Sequence, residues 1–268
     1  MSGASLRKRF RDIAAEGRAA LVVYLTQGDP SPAASVDLLA SLADSGADVL
    51  ELGVPFSDPS ADGIVIQEAM LRALKAGGGL SSALETVRAF RKRGYDTPIV
   101  LFGYSNPIFV RGIERFAAEA AEAGVDALLT VDVPIDELAE LHGPLSKVGI
   151  GVVPLVAPTS TPERIAKVAA FDPAFVYYVS MTGVTGSAFQ GASGGAERVR
   201  MIQESTGAPV AVGFGIKTGA DAKEVASYAD GVVVGSALVR RIAAAKSAKE
   251  ACASVAELSA ELRAAMKR

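Results

Sequence analysis

The chain has 268 residues, half of them hydrophobic, with a net charge of −3 and a single cysteine. This length is sufficient for a large buried core, and the chain has no basic excess that would indicate binding to nucleic acid or an acidic membrane. The lone Cys252 excludes an intramolecular disulfide, and no stretch approaches the roughly 18 apolar residues of a membrane span. We therefore predict a soluble, cytoplasmic protein.

Short β-branched runs alternate along the chain with longer segments of helical period. The runs predict eight strands, at residues 20–25, 49–53, 98–103, 127–131, 149–155, 175–179, 209–214 and 231–235. The segments between them predict helices at residues 35–45, 81–93, 112–123, 135–147, 162–170, 196–205 and 220–227. A last helical region, residues 236–267, is predicted to break near Ser247.

Near-continuous hydrophobic strands are typical of a parallel sheet that is buried on both faces. Eight such strands with intervening helices in about 250 residues predict a (β/α)8 TIM barrel. We expect one α/β domain over residues 1–268, with an extra N-terminal helix. A doubly wound open sheet is the alternative, but the first strand is followed by TQGDP, residues 26–30, which is not the dinucleotide-binding glycine pattern.

The segment ELGVPFSDPSADG, residues 51–63, places three carboxylates where the second predicted strand ends, and this end of a barrel carries the active site. Burial of Glu51 between apolar neighbours is costly unless the carboxylate is paired or used, and it raises the pKa toward values that suit proton transfer. The alternatives are a structural Glu51 bonded to loop amides, Asp62 as a helix N-cap, and Asp58 as the start of a turn.

Glycines occur where the seventh and eighth predicted strands end, in GFGI at 213–216 and VGSA at 234–237. Loops seven and eight of barrels commonly bind phosphate, and Ser236 is predicted to cap a helix whose first amides attract an anion. We predict a phosphate site here, with simple tight turns as the alternative. The glycine-rich segment 180–195 after strand six predicts a lid, with a disordered loop as the alternative.

Several motifs, in this order, resemble those of the tryptophan synthase α subunit family. They are TQGDP at 26–30, LELGVPFSDPSADG at 50–63, YSNP at 104–107, VDVPIDE at 131–137, SMTGVTG at 180–186, GFGI at 213–216 and VGSALV at 234–239. The resemblance implies a lyase of tryptophan biosynthesis that cleaves indole-3-glycerol phosphate to indole and glyceraldehyde 3-phosphate by a retro-aldol reaction. It implies no metal or organic cofactor for this chain. Indole would pass to a pyridoxal-phosphate-dependent β subunit in an α2β2 complex.

By motif position, the resemblance implies that Glu51 is the mobile acid/base and that Asp62 faces the indole N–H. The other implied substrate contacts are Tyr24, Phe102, Tyr177, Thr185, Gly186, Gly215, Gly235 and Ser236. The implied contacts with the β subunit are Pro55, Phe56, Asp58 and Asn106. For the aromatic residues of the first set, ordinary core packing is the alternative.

The chain departs from the family pattern at three places: Ser60, where leucine is common, Met181, where a basic or polar residue is frequent, and residues 63–65, where Gly-Pro is typical. None of these changes removes a group that the chemistry needs, and they bear on loop stiffness and partner contacts. Two other functions stay open, a stand-alone lyase that exports free indole and a non-catalytic barrel kept as an allosteric partner. The intact Glu51 and Asp62 argue against the second.

Overall fold

The computed structural model describes residues 3–179, 194–213 and 215–267. The strands are β1 (Ala20–Thr26), β2 (Val49–Gly53), β3 (Ile99–Gly103), β4 (Ala127–Thr130), β5 (Gly151–Val152), β6 (Leu155–Val156), β7 (Val176–Val179), β8 (Val210–Gly213) and β9 (Gly231–Val234). The α-helices are α1 (Gly3–Ala15), α2 (Pro32–Asp44), α3 (Ile64–Lys75), α4 (Leu80–Lys92), α5 (Ser105–Arg111), α6 (Ile113–Ala123), α7 (Leu138–Lys147), α8 (Pro162–Val168), α9 (Gly195–Thr206), α10 (Gly219–Ala226), α11 (Ser236–Ala244) and α12 (Ala248–Ala265). Short 3-10 turns cover Ile135–Glu137 and Ala169–Phe171.

The strands pair in parallel in the order β5-β4-β3-β2-β1-β9-β8-β7-β6. The two outermost strands, β5 and β6, belong to one segment, residues 151–156. The Val153 amide donates to the Leu128 carbonyl of β4, and the Pro154 carbonyl accepts a hydrogen bond from the Tyr177 amide of β7. Because one segment pairs on both sides, the sheet closes into a barrel, and the predicted fold class is confirmed.

Each predicted strand overlaps an observed one, and the predicted fifth strand is β5 and β6 together. The predicted N-terminal helix is α1, and the predicted break near Ser247 is the N-cap of α12. Two helices were not predicted, α3 and α5. The first begins at Ile64, directly after the acidic segment, and the second contains Pro107 in its first turn, where proline is tolerated.

Side chains of alternate strand positions fill the inside of the barrel, as the period of a β-strand requires. At the amino-terminal end this interior is closed by α1, whose Phe10 ring lies 5.1 Å from Phe175. Other strand side chains pack outward against the helices in a larger apolar cluster. The interior cluster contains Leu6, Phe10, Ile13, Ala20, Val22, Val49, Val100, Ala127, Leu129, Val153, Ala174, Phe175, Ala211 and Val233.

In the part of the chain that the structure describes, no helix combines the length and the hydrophobicity needed to cross a membrane.

Candidate active site

Strand register brings the predicted site residues together inside the carboxyl end of the barrel. Tyr24 of β1 lies opposite Glu51 of β2, and Phe102 of β3 lies opposite Gly53. The Tyr24 and Phe102 rings meet edge to face with their centroids 5.2 Å apart. Phe102 and Tyr177 also pack on the interior apolar cluster. The alternation along each strand therefore places one acidic and three aromatic side chains around one space.

Glu51 is buried without compensation for its charge. The residue is 1% exposed, and its Oε1 has no hydrogen-bond partner among the described residues. Burial raises the pKa of Glu51 from 4.5 to about 8. The carboxyl group is therefore predominantly protonated at neutral pH, a state suited to a general acid. The alternative in which loop amides bind this carboxylate is wrong for Oε1 within the described chain.

Asp62 lies at the end of the acidic segment, just before α3. The N-cap of α3 is Gly63, and no side chain caps this helix, so the N-cap alternative for Asp62 is wrong. Its Oδ2 instead accepts a hydrogen bond of 2.7 Å from the hydroxyl of Tyr104. Burial raises the pKa of Asp62, and the hydrogen bond from Tyr104 lowers it in part.

Two glycines make room for the site tyrosines. A Cβ atom at Gly53 would lie 2.2 Å from the Tyr24 hydroxyl, and one at Gly213 would lie 2.1 Å from the Tyr177 hydroxyl. Any side chain at either position would displace the neighbouring ring. Sequence reasoning placed both glycines near the ends of predicted strands without assigning them this role, and their inward-facing register was the signal that could have identified it.

The two tyrosines are placed close to both carboxylates. Burial raises the pKa of Tyr24 and of Tyr177, and the negative charges of Asp62 and Glu51 raise both pKa values further. Tyr24 also forms a 3.1 Å hydrogen bond with Thr26 Oγ1. The carboxyl groups of residues 51 and 62 therefore both lie close enough to Tyr24 and Tyr177 to act on the pKa values of the two rings.

The helices that follow β8 and β9 differ at their first turns. The start of α10 is capped by its own side chains, because Thr218 and Asp221 form a reciprocal capping box. The start of α11 has Gly235 as N-cap and no side-chain cap, so the prediction that Ser236 caps it is wrong. Ser236 is the first helical residue. The amides of α11 are thus left available to an anion.

The backbone of Gly235 also lies close to Tyr24, an aromatic side chain of the site. A Cβ there would lie 3.4 Å from Cβ of Tyr24. Gly215, on the loop after β8, has a φ of +81°, a conformation that favours glycine. Thr185 and Gly186, the other two predicted substrate contacts, lie outside the described residues.

The predicted partner contacts lie on the loop that follows β2 and, for Asn106, in the first turn of α5 directly after β3. Asp58 and Asn106 are exposed, Phe56 is half-buried and Pro55 is buried within the isolated chain. The Phe56 ring stacks on the Tyr104 ring with centroids 4.9 Å apart. Tyr104 was not among the predicted site residues, although it directly follows a strand end, which was the available signal.

The opposite end of the barrel has a cavity of about 400 Å³ between α1 and the segment before β8. None of the predicted site residues lines this cavity. Among the described residues, no group of three histidine, cysteine or acidic side chains is arranged to hold a metal ion.

A closed parallel barrel with acidic and aromatic side chains at the carboxyl ends of its strands is typical of barrel enzymes. The family model described as tryptophan synthase alpha chain matches residues 10–267. A curated tryptophan synthase alpha chain from Dechloromonas aromatica is 47% identical over 258 residues, which cover 96% of each chain. The chain therefore belongs to the tryptophan synthase alpha chain family.

Solved structures agree with this assignment. The alpha chain from Legionella pneumophila has a TM-score of 0.89 at 37% identity and covers 99% of this chain and 97% of its own. A chain of tryptophan synthase from Mycobacterium tuberculosis has a TM-score of 0.88 at 37% identity, with 98% of each chain covered. The family predicted from the motifs is confirmed, and with it the prediction of a lyase of tryptophan biosynthesis.

Proposed function

We propose that this protein cleaves indole-3-glycerol phosphate to indole and glyceraldehyde 3-phosphate. The observation that carries the residue assignment is Glu51, a buried carboxyl whose Oε1 has no partner among the described residues and whose pKa is raised to about 8. A protein keeps such a group at a cost to its stability, so its retention beside an aromatic pocket favours a chemical role.

The reaction needs one proton to arrive and another to leave. Indole C3 must first gain a proton, which makes it a leaving centre. The bond between C3 and the glycerol carbon then breaks while the hydroxyl on that carbon loses its proton and becomes the aldehyde. Protonated Glu51 donates the first proton, and the resulting carboxylate accepts the second, so the side chain returns to its starting state.

Asp62 is proposed to act at the ring nitrogen. Protonation at C3 leaves a positive charge on the indole N–H, and an ionised carboxylate nearby stabilises that charge. Tyr24 and Phe102, in edge-to-face contact, are proposed to flank the indole ring, and Tyr177 to lie beside the substrate and Glu51. The tightly packed Gly53 supports this arrangement, because it allows the Tyr24 ring to lie against β2.

The phosphate is proposed to bind at Gly215, Gly235 and Ser236, where the uncapped first turn of α11 offers backbone amides. Thr185 and Gly186 are proposed to complete the site from the segment after β7. Because a Cβ built on Gly235 would lie 3.4 Å from Cβ of Tyr24, an anion at the start of α11 is next to the proposed indole pocket, so one substrate molecule can reach both.

The proposed partner is a tryptophan synthase β subunit, in an α2β2 complex located in the cytoplasm. The exposed Asp58 lies on the loop after β2 and the exposed Asn106 lies in α5 after β3, at the barrel end that holds the carboxylates. Phe56 and Pro55 are proposed to contact the β subunit at this surface and to couple its binding to the site residues beneath them. The single cysteine is consistent with a reducing compartment.

An assay of indole release from indole-3-glycerol phosphate tests the proposal. The protein alone should release indole slowly, and addition of a tryptophan synthase β subunit should accelerate release. Fast release by the protein alone, unchanged by the β subunit, would support the stand-alone lyase. No release under either condition, from a folded protein that binds the β subunit, would support the non-catalytic barrel.

A further inference from the structure

Tyr104 joins the acidic loop to the third strand. It directly follows β3, is 4% exposed and lies at the N-cap of α5. Its hydroxyl donates a 2.7 Å hydrogen bond to Asp62 Oδ2 and accepts a 3.0 Å hydrogen bond from the Ala61 amide. One phenolic oxygen therefore binds both the backbone and the carboxylate at the end of the acidic loop.

The residues on both sides of Tyr104 are firmly held. The Gly103 carbonyl accepts a hydrogen bond from the Val131 amide, and Ser105 donates to the Asp132 carboxylate from its amide, at 2.9 Å, and from its hydroxyl, at 2.9 Å. The Phe56 ring covers the Tyr104 ring. Tyr104 thus has a fixed position from which its hydroxyl reaches the loop.

Asp62, by contrast, is held through its backbone, whose carbonyl accepts a 2.7 Å hydrogen bond from Gln67 Nε2 and whose amide donates to the Pro59 carbonyl, and these bonds leave its carboxylate to other partners. It caps no helix, and the Tyr104 hydroxyl is the side chain that binds its carboxylate among the described contacts. We propose that Tyr104 is a positioning residue whose hydroxyl holds the Asp62 carboxylate toward the indole N–H. This inference rests on the proposed function, because it assigns the task of Asp62 in that reaction.

The charged groups around Asp62 determine how its pKa would change if the Tyr104 hydroxyl were removed. The titratable groups that interact with Asp62 are Tyr24 from β1, Tyr177 from β7 and Tyr104 itself. Glu51 acts on the same Tyr24 and Tyr177, and Asp132 acts on Tyr104. None of these groups is a cation. Burial raises the pKa of Asp62 and the bond from Tyr104 opposes this rise, so removal of the hydroxyl should raise that pKa further.

The test compares Tyr104→Phe with Tyr95→Phe in the complete α–β complex. Tyr95 is a matched control, because it lies before β3, its ring stacks on Phe90 and its hydroxyl donates to Asp44 at 2.9 Å. Each variant loses one hydroxyl bonded to an aspartate and keeps its ring. Tyr104→Phe should lower kcat by roughly tenfold to a hundredfold, the range for a hydrogen bond to a charged group.

The pH profile distinguishes a positioning role from a purely structural one. In Tyr104→Phe the acidic limb of kcat/KM should move to higher pH, whereas Tyr95→Phe should keep the wild-type profile. Unchanged kcat and an unchanged acidic limb in Tyr104→Phe would overturn the inference. So would a lowered kcat with an unmoved acidic limb. An inactive wild-type complex would instead overturn the proposed function.

Discussion

Two buried carboxyl groups lie close together in the sequence at β2, and their surroundings are opposite in kind. Asp48, just before β2, is 2% exposed and accepts hydrogen bonds of 2.6 and 2.9 Å from Arg18 and one of 2.9 Å from the Leu21 amide. Glu51, three residues later, is 1% exposed, and its Oε1 has no partner among the described residues. The two residues are almost equally buried, and they differ in the hydrogen-bond and ion-pair partners of their carboxyl groups.

The same pairing recurs at the amino-terminal end of the barrel. Asp126, just before β4, accepts a 2.8 Å bond from the Ile99 amide and a 2.7 Å bond from Arg91. Asp230, just before β9, accepts a 2.8 Å bond from the Val210 amide. Each of these two carboxylates accepts a hydrogen bond from the amide of the first residue of the neighbouring strand. This end therefore serves stability, whereas the opposite end retains an uncompensated acid for chemistry.

The largest effect we expect is on turnover when the uncompensated acid is removed. Glu51→Gln keeps the size of the side chain and loses the transferable proton, so kcat should fall by about 10² to 10⁴-fold or more. Steady-state indole release in the α–β complex measures this change. Glu85→Gln, at an exposed position of α4, is the matched control and should retain wild-type kcat. Near-normal turnover in Glu51→Gln would remove the proposed acid/base role.

At the amino-terminal end of the barrel, the expected effect of a substitution is on the free energy of unfolding. Arg18→Met removes the main partner of Asp48 and leaves a buried carboxylate, with the Arg9 and Arg263 nitrogens still 3.5 and 3.9 Å away. The free energy of unfolding should fall by about 3 kcal/mol, the lower end for a broken buried ion pair. Urea denaturation measures the loss. The kcat of the folded variant should not change, and a large loss of kcat would contradict the division between the two ends.

The pH dependence of stability should also reveal Glu51. Between its usual pKa of 4.5 and its folded pKa of about 8, the unfolded chain has released this proton and the folded chain retains it. Rising pH therefore favours unfolding, by up to about 1.4 kcal/mol for each pH unit. Glu51→Gln lacks this penalty, so its free energy of unfolding relative to wild type should rise from about pH 5 to pH 8. A constant difference over this range would show that Glu51 titrates normally.

A smaller effect is expected at the proposed phosphate position. Gly235→Asp places bulk and negative charge at the uncapped start of α11, so KM should rise about tenfold or more through repulsion of the phosphate. Steady-state kinetics in the α–β complex separates KM from kcat. An unchanged KM would exclude Gly235 from the phosphate site.

Local patterns in the sequence predict the strands and Glu51, because alternation and burial are encoded within a few neighbouring residues. The division of the fifth strand into β5 and β6 follows from barrel closure, a contact between distant strands. The bond from Tyr104 to Asp62 joins residues 42 positions apart. The fit of Gly53 to Tyr24 depends on strand register. Such features need the tertiary arrangement.

The pH dependence of wild-type kcat/KM for indole release tests the central claim most directly. Glu51 must start protonated to deliver a proton to C3, so kcat/KM should fall as pH rises through about 8. It should also fall at low pH, as the Asp62 carboxylate becomes protonated. A profile that stays level well above pH 8 would contradict the account, because the carboxyl that is proposed to donate the proton would then be ionised without loss of activity.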